Sequence, residues 1–415
     1  MGDVALFREI LGELHEQGIR VVLDGVFNHT GRNHFAFRDL EAKGPRESAY
    51  ADWYHIGART SDYDGWCAVG GDNGFSFGCW EGHAILPELN LEHPAVKEHL
   101  FDVARFWLGE VGVDGWRLDV AHEISPDFWR EFRAVCKEAN PDCILVGEMI
   151  HGNYNQWVGN DRLESGTNYQ LSKAIWSSLN DHNFFELGHS LQREDSLYHG
   201  LNLVNFLGNH DVTRIASQLN NPAHYRLALS FLMLYKGIPC LYYGDEVAME
   251  GTPGDGDDWD LRRPMLAPDG SDWPALGAAR FAETRELIAV RHANPALHSG
   301  DFRAASLKYT NEQIAFFRNH PEQYAVVLMN CAEQPAQLAY AVDQVEDGTV
   351  FVDLFDPEGP TFVARGGQIL VEAPEAGAAP DQLPLAECSV RLLVAPTPAA
   401  ASKLAAASRL ATKAA

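Results

Sequence analysis

Residues 115–122 read GWRLDVAH and residues 145–152 read LVGEMIHG. Each is a short apolar run ending on a carboxylate, Asp119 in the first and Glu148 in the second. Between them, residues 126–139 carry apolar side chains at helical spacing, so the segment predicts strand, helix, strand. Such a crossover joins parallel neighbours, which places Asp119 and Glu148 at the same end of one sheet.

The pattern continues on both sides. Upstream, Leu6, Ile10, Leu11 and Leu14 sit at helical spacing, residues 19–27 form a mainly apolar, β-branched run that reads as a buried strand, and a helix is expected over 94–110. Downstream come a short strand at 165–169, helical stretches within 170–198, a strand at 203–207, a helix at 222–235, a strand at 238–243 and a last helix at 277–293. Strict alternation of apolar strands with helices predicts a parallel sheet covered on both faces. Polar residues gather just after the strand ends: Asn28 and His29, Asp119, Glu148, His210 and Asp211. Several strand ends converging on one site favour a (β/α)8, or TIM, barrel over an open sheet with a single switch point.

Two regions break the alternation. Residues 30–92 are rich in glycine and aromatics, including Trp53, Trp66 and Trp80, and read as an inserted region with a functional role. After residue 297 the period becomes two, as in 313–318, 324–329, 349–354 and 390–394, which predicts a C-terminal antiparallel β-sandwich domain. The expected layout is a barrel start at 1–29, the insert at 30–92, the rest of the catalytic barrel at 93–297, the β domain at 298–397 and an Ala-rich tail at 398–415. The stretch GTPGDGDDWD (251–260) lacks the pattern of a phosphate cradle or an EF-hand and reads as a loop at the barrel mouth.

Composition narrows the function. With Lys+Arg 32 against Asp+Glu 58, the formal charge of -26 repels nucleic acid and anionic lipid, leaving neutral or cationic ligands. No apolar run reaches the length of a membrane span, and the start of the chain resembles an amphipathic helix rather than a signal peptide, so a cytoplasmic location is expected. The seven cysteines form no CxxC pair and read as buried free thiols in a reducing compartment.

Two carboxylates at neighbouring strand ends suit a glycosidic bond, whose cleavage needs one carboxylate facing the anomeric carbon and one acid protonating the leaving oxygen. Arg117, two residues before Asp119, shares its face of the strand and is placed to keep Asp119 ionised by a charge-assisted hydrogen bond. Glu148 lies among Val146, Met149 and Ile150, an apolar setting that suits a proton donor. Arg214 reads either as a brace for the site or as a surface charge at a helix start.

Here the sequence resembles a known family. DGVFNH (24–29), GWRLDVAH (115–122), GEMIH (147–151) and FLGNHD (206–211) are similar, in order, to the four signature regions of the α-amylase family, glycoside hydrolase family 13. LPELN (86–90) resembles its fifth region, and the set leans toward neopullulanases and cyclomaltodextrinases. The resemblance implies Asp119 as nucleophile, Glu148 as acid/base and Asp211 as a third acid gripping the sugar's vicinal hydroxyls. It places His29, Arg117 and His210 around the same sugar. Apart from it, the flat rings of Trp53, Trp66 and Trp80 suit either sugar faces at outer subsites or the core of the insert, and Trp80 and His151 are expected as further substrate contacts. The resemblance implies an α-1,4-glucan or maltooligosaccharide substrate, double displacement with retention, no required cofactor, and calcium as an optional ion with Asn28 as its ligand. A homodimer is the assembly common among such relatives. Against that pattern, DGVFNH belongs to the third barrel strand, so the sequence counts six barrel strands, without the first two, and exposed backbone edges are expected. A transglycosylase or isomerase on the same scaffold, or an inactive glucan-binding protein, are the rival readings.

Overall fold

The computed structural model describes residues 2–57, 66–69, 74–254, 258–342, 344–374 and 378–401 of the chain, in two compact units, Met1–Thr167 and Asn168–Ala415.

The first unit opens with α1 (Val4–Glu16), capped by the Asp3 carboxylate, which accepts from the Leu6 N–H at 3.0 Å. β1 (Val22–Gly25) follows. Asp114 ties this start to the sheet, accepting from the Val21 N–H at 2.7 Å and meeting His15 Nε2 at 2.8 Å.

The inserted region holds more structure than its composition predicts. It contains α2 (Phe35–Lys43) and an antiparallel sheet of β2 (Ile56–Gly57), β3 (Trp66–Val69) and β4 (Phe75–Gly78), with β4 in the middle. Phe37 and Phe77 are fully buried and pack edge-on at 4.9 Å. Cys67 and Cys79 form a disulfide across this sheet, which corrects the reading of all seven cysteines as free thiols. The compartment argued from free thiols loses that support.

Helix α3 (Pro94–Arg105) follows, then a π turn over Phe106–Val111 that ends at Gly112, whose φ of 94° is the left-handed close glycine permits. β5 (Gly115–Leu118), α4 (Pro126–Ala139), β6 (Ile144–Gly147) and β7 (Ser165–Gly166) complete the unit. α4 starts where Ser125 accepts from the Phe128 N–H at 3.2 Å and Pro126 takes the first helical position. The parallel sheet runs β1-β5-β6-β7. Its register pairs Asp24 with Arg117 and Arg117 with Val146. Because side chains alternate along a strand, Asp24, Arg117, Asp119 and Glu148 all fall on one face. The opposite face packs on α4: Phe27 lies 5.5 Å from Trp116 and 5.1 Å from Phe132.

Among the described residues β1 pairs only with β5 and is therefore an edge. Ile19, Val22 and Val26 are 50%, 40% and 44% exposed, and Leu6 and Ile10 on α1 are each 45% exposed. The run 19–27, read as a buried strand, thus keeps Ile19, Val22 and Val26 partly in solvent.

The second unit carries α5 (Tyr169–Asn180), α6 (Phe185–Tyr198), β8 (Val204–Phe206), α7 (Ile215–Gln218), α8 (His224–Leu234), β9 (Ile238–Cys240) and α9 (Gly277–Ala293). β8 and β9 pair in parallel, so all six expected strands form, four in the first unit's sheet and two here. α8 is buried on every side, and Arg291 from α9 satisfies its C-terminal carbonyls, donating to Met233 O at 2.6 Å and Tyr235 O at 2.9 Å.

α10 (Pro295–His298) leads into the region of period two. β10 (Asp301–Phe302), β11 (Lys308–Tyr309), β12 (Gln313–His320), β13 (Gln323–Asn330), β14 (Ala336–Leu338), β15 (Val350–Asp353), β16 (Phe362–Arg365), β17 (Gln368–Val371), β18 (Leu383–Leu385) and β19 (Ser389–Pro396) are antiparallel. Eight of them form one sheet, ordered β10-β12-β13-β19-β15-β16-β17 with β11 against β12, and β14 and β18 make a separate pair. One face of the central strands, with Phe316 and Val327, joins a core shared with α8; the other, with Phe317 and Val326, packs on Phe351, Phe362 and Leu383. The expected Ala-rich tail lies outside the described residues beyond 401. No helix among the described residues is long and apolar enough to cross a membrane.

Candidate active site

In the first unit, Asp119 and Glu148 follow directly on β5 and β6. The Asp119 N–H donates to Gly25 O at 3.0 Å and the Glu148 N–H to Leu118 O at 2.8 Å, so the sheet ladder itself sets both residues. Arg117 joins them: Nη1 donates to Asp119 Oδ1 at 2.6 Å and Nη2 lies 2.7 Å from Glu148 Oε1. Nη1 also reaches Asp24 Oδ1 at 2.8 Å, so one guanidinium serves three carboxylates. Burial works against the Arg117 charge, but Glu148 and Asp24 outweigh it and hold its pKa above the ordinary arginine value.

Glu148 is 4% exposed, while the Asp119 side chain keeps 21%. The second Glu148 oxygen accepts from the Val120 N–H at 3.1 Å. Val120 presents that N–H from a left-handed conformation, φ 37°, which a β-branched residue adopts only when its surroundings impose it. Those surroundings include the fully buried Trp129, whose indole donates to Ala121 O at 2.9 Å.

His29 and Asn28 are buried after β1. Burial lowers the His29 pKa below the ordinary histidine value, against the pull of Asp119. Trp80, half-buried, stacks on His29 at 5.5 Å, and His83 stacks on Trp80 at 5.8 Å. His122 meets the Glu148 carbonyl at 3.3 Å through Nδ1 and packs edge-on against the exposed His151 at 4.5 Å. Trp53, by contrast, is 9% exposed and belongs to the core of the insert. Asn28 donates its amide to Glu123 Oε2 at 3.3 Å. Among the described residues no group of three or more His, Cys, Asp or Glu side chains is arranged to hold a metal ion.

The second unit carries His210 and Asp211 beyond β8. His210 Nε2 lies 3.1 Å from Asp211 Oδ2, and Arg262 donates to Asp211 Oδ1 at 2.7 Å. Sequence reading missed Arg262, which lies 51 positions along and shares no periodic element with Asp211. Arg214 is neither surface charge nor ion-pair brace. It is completely buried, donates to the carbonyls of Tyr243 at 2.7 Å and Leu261 at 2.8 Å, and sits over the rings of Tyr242 and Tyr243. Asp245 was also missed. It is 1% exposed, and burial raises its pKa to about 7 despite the opposing charge of Arg214.

Comparison with known proteins places this arrangement. Residues 1–272 match the α-amylase catalytic domain. Neopullulanase 2 of Thermoactinomyces vulgaris is 37% identical over 79% of the chain and 54% of its own length; a cyclomaltodextrinase of a Bacillus species is 34% identical over 79% of the chain and 57% of its own. The chain thus spans somewhat over half the length of these relatives. A solved cyclomaltodextrinase superposes with a TM-score of 0.75 at 29% identity, covering 95% of this chain and 63% of that one. With a family model over more than half its residues and strand-end carboxylates joined by one arginine, the chain belongs to the α-amylase family of glycoside hydrolases.

Proposed function

We propose that the protein hydrolyses α-1,4-glucosidic bonds in maltooligosaccharides or cyclodextrins by double displacement with retention. The observation that carries this reading is the Arg117 fork spanning Asp119 and Glu148. Two carboxyl groups held on one guanidinium fit the retaining spacing of about 5–5.5 Å better than the wider inverting one.

In the first step an Asp119 carboxylate oxygen attacks the anomeric carbon, the glycosidic C–O bond breaks, and the Glu148 proton passes to the leaving oxygen. In the second, the Glu148 carboxylate takes a proton from water, whose oxygen attacks the anomeric carbon and releases Asp119. In the first unit His29, Trp80 and His151, beside Asp119 and Glu148, are the sugar contacts of this reading, and in the second Asp211 with His210 is its hydroxyl-gripping pair. The substrate class follows from the names of the relatives, neopullulanase and cyclomaltodextrinase.

The test is turnover of maltooligosaccharides and cyclodextrins by residues 1–415 beside Asp119→Asn, with circular dichroism on both. Products retaining the α-anomer and a loss of about 10⁴-fold or more in the variant are expected for a lost nucleophile. A folded wild type without turnover overturns the reading, and product analysis separates hydrolysis from transfer to a second sugar.

A further inference from the structure

The turns that follow β5 and β6 each carry a histidine, and the first unit brings the two together. His122 lies in the short 3₁₀ turn Ala121–Glu123, and the exposed His151 follows shortly after Glu148; their rings pack edge-on with centroids 4.5 Å apart. Two tryptophans fix these turns. Trp129 donates to Ala121 O at 2.9 Å and Trp157 Nε1 to Ile124 O at 3.0 Å, so the backbone is held on both sides of His122. Gly152, directly after His151, has a φ of 95°, and a Cβ there would stand 3.3 Å from the Trp157 ring, so the same indole braces the backbone beside His151.

Hydrogen bonding decides the tautomer of His122. Its Nδ1 lies 3.3 Å from Glu148 O, and a carbonyl only accepts, so Nδ1 carries the proton and in the neutral ring Nε2 keeps its lone pair. A ring N–H anchored on a carbonyl is the usual arrangement behind a metal-ligating histidine. With metal–nitrogen bonds of about 2.0–2.1 Å, two imidazoles meeting one ion at about a right angle have centroids about 4.5 Å apart. His122 and His151 stand at that separation. Glu123, next to His122, and the chain charge of -26 favour a cation at this place.

We propose that His122 and His151 are the two protein ligands of an inhibitory site for a divalent ion of the zinc class, with water completing its coordination. Imidazole nitrogen selects zinc or copper over calcium and magnesium, which take oxygen. Two protein ligands hold the ion more loosely than the three or four of catalytic and structural zinc sites, so it binds reversibly. His122 bonds the Glu148 backbone, so the ion brings positive charge beside Glu148, favours its carboxylate over the protonated acid and opposes proton donation to the leaving oxygen. The inhibition rests on the reading of Glu148 as acid/base; the binding does not.

Calorimetric titration of zinc chloride into the untagged chain tests the site. Zinc affinity should fall at least about tenfold in His151→Phe, which keeps an edge-on ring without a nitrogen, and in His122→Gln, which keeps a donor for the Glu148 carbonyl. His298→Gln, on α10, should leave it unchanged. Equal affinity in wild type and His151→Phe, or an equal loss in His298→Gln, overturns the site. Saturating zinc should lower the wild-type rate on maltotriose at least about tenfold, as for impaired general acid catalysis. A chelator should restore the rate, and calcium chloride at the same concentration should not lower it. Full turnover with zinc bound overturns the inhibitory role. A wild type that hydrolyses no glucan sinks the hydrolase reading alone, because calorimetry still reports the ion.

Discussion

The indole N–H of Trp129 on α4 donates to the carbonyl of Ala121, two residues past Asp119, at 2.9 Å. A helix on the back of the sheet therefore holds the turn that follows Asp119 and aims the Val120 N–H at Glu148. Trp129→Phe removes the shorter of that carbonyl's two hydrogen bonds, the Ile124 N–H at 3.4 Å remaining, at a cost of about 1 kcal/mol. Urea denaturation should show the loss, and kcat should fall with KM nearly unchanged. An unaltered kcat in the destabilised variant would disconnect the turn from the chemistry.

Arg117 is the one guanidinium shared by Asp24, Asp119 and Glu148. Arg117→Gln leaves three carboxylates facing one another and should lower stability by about 3 kcal/mol, the lower end of the range for breaking a buried pair. kcat/KM should fall by at least about 10²-fold, consistent with loss of an electrostatic contact in the transition state. Arg117→Lys keeps a charge but cannot fork, so it should recover stability more than activity. Equal recovery of both would show that charge alone matters.

Asp245 supplies a pH signature in stability. Burial raises its pKa to about 7, well above the unfolded value near 3.9, so the folded chain holds a proton that the unfolded chain has released. Stability from this group is complete below about pH 4 and is lost as pH rises toward about 7. Asp245→Asn removes that loss. The difference in denaturation midpoint between variant and wild type should therefore grow in the variant's favour from pH 4 to pH 7, and a constant difference would refute the assignment.

Cys67 and Cys79 are disulfide-bonded, whereas Cys136, Cys143, Cys240, Cys331 and Cys388 are free. Thiol titration in denaturant should count five groups before reduction and seven after it. Cys79 immediately precedes Trp80, so Cys67→Ser with Cys79→Ser should raise KM by loosening the Trp80–His29 stack and speed proteolysis near residue 80. The stability change should be about 2–3 kcal/mol, as for a short closed loop. Seven titratable thiols in the untreated protein would rule the bridge out.

The parallel strands and the Asp119–Glu148 pair were legible because each depends on local pattern. A short apolar run ending on a carboxylate announces both a strand and where its end points. The features that escaped depend on contacts between distant, aperiodic segments. Arg214 stayed open between a brace for the site and a surface charge because its partners, the carbonyls of Tyr243 and Leu261, leave no side-chain signature. Arg262 meets Asp211 through loop geometry that no spacing encodes. α2 and the three-stranded sheet of the insert were hidden by a glycine-rich composition, and a 12-residue separation between cysteines points to no particular partner.

The exposed apolar side chains Ile19, Val22 and Val26 in and beside β1, with Leu6 and Ile10 exposed on α1, also shape how this chain behaves at the bench. A strand edge in water offers unpaired backbone groups and greasy side chains to any neighbouring chain. Colloidal behaviour will therefore track protein concentration more steeply than a charge of -26 would lead one to expect. Activity is best compared at matched dilution, because crowded samples will sequester this edge before they sequester the active site.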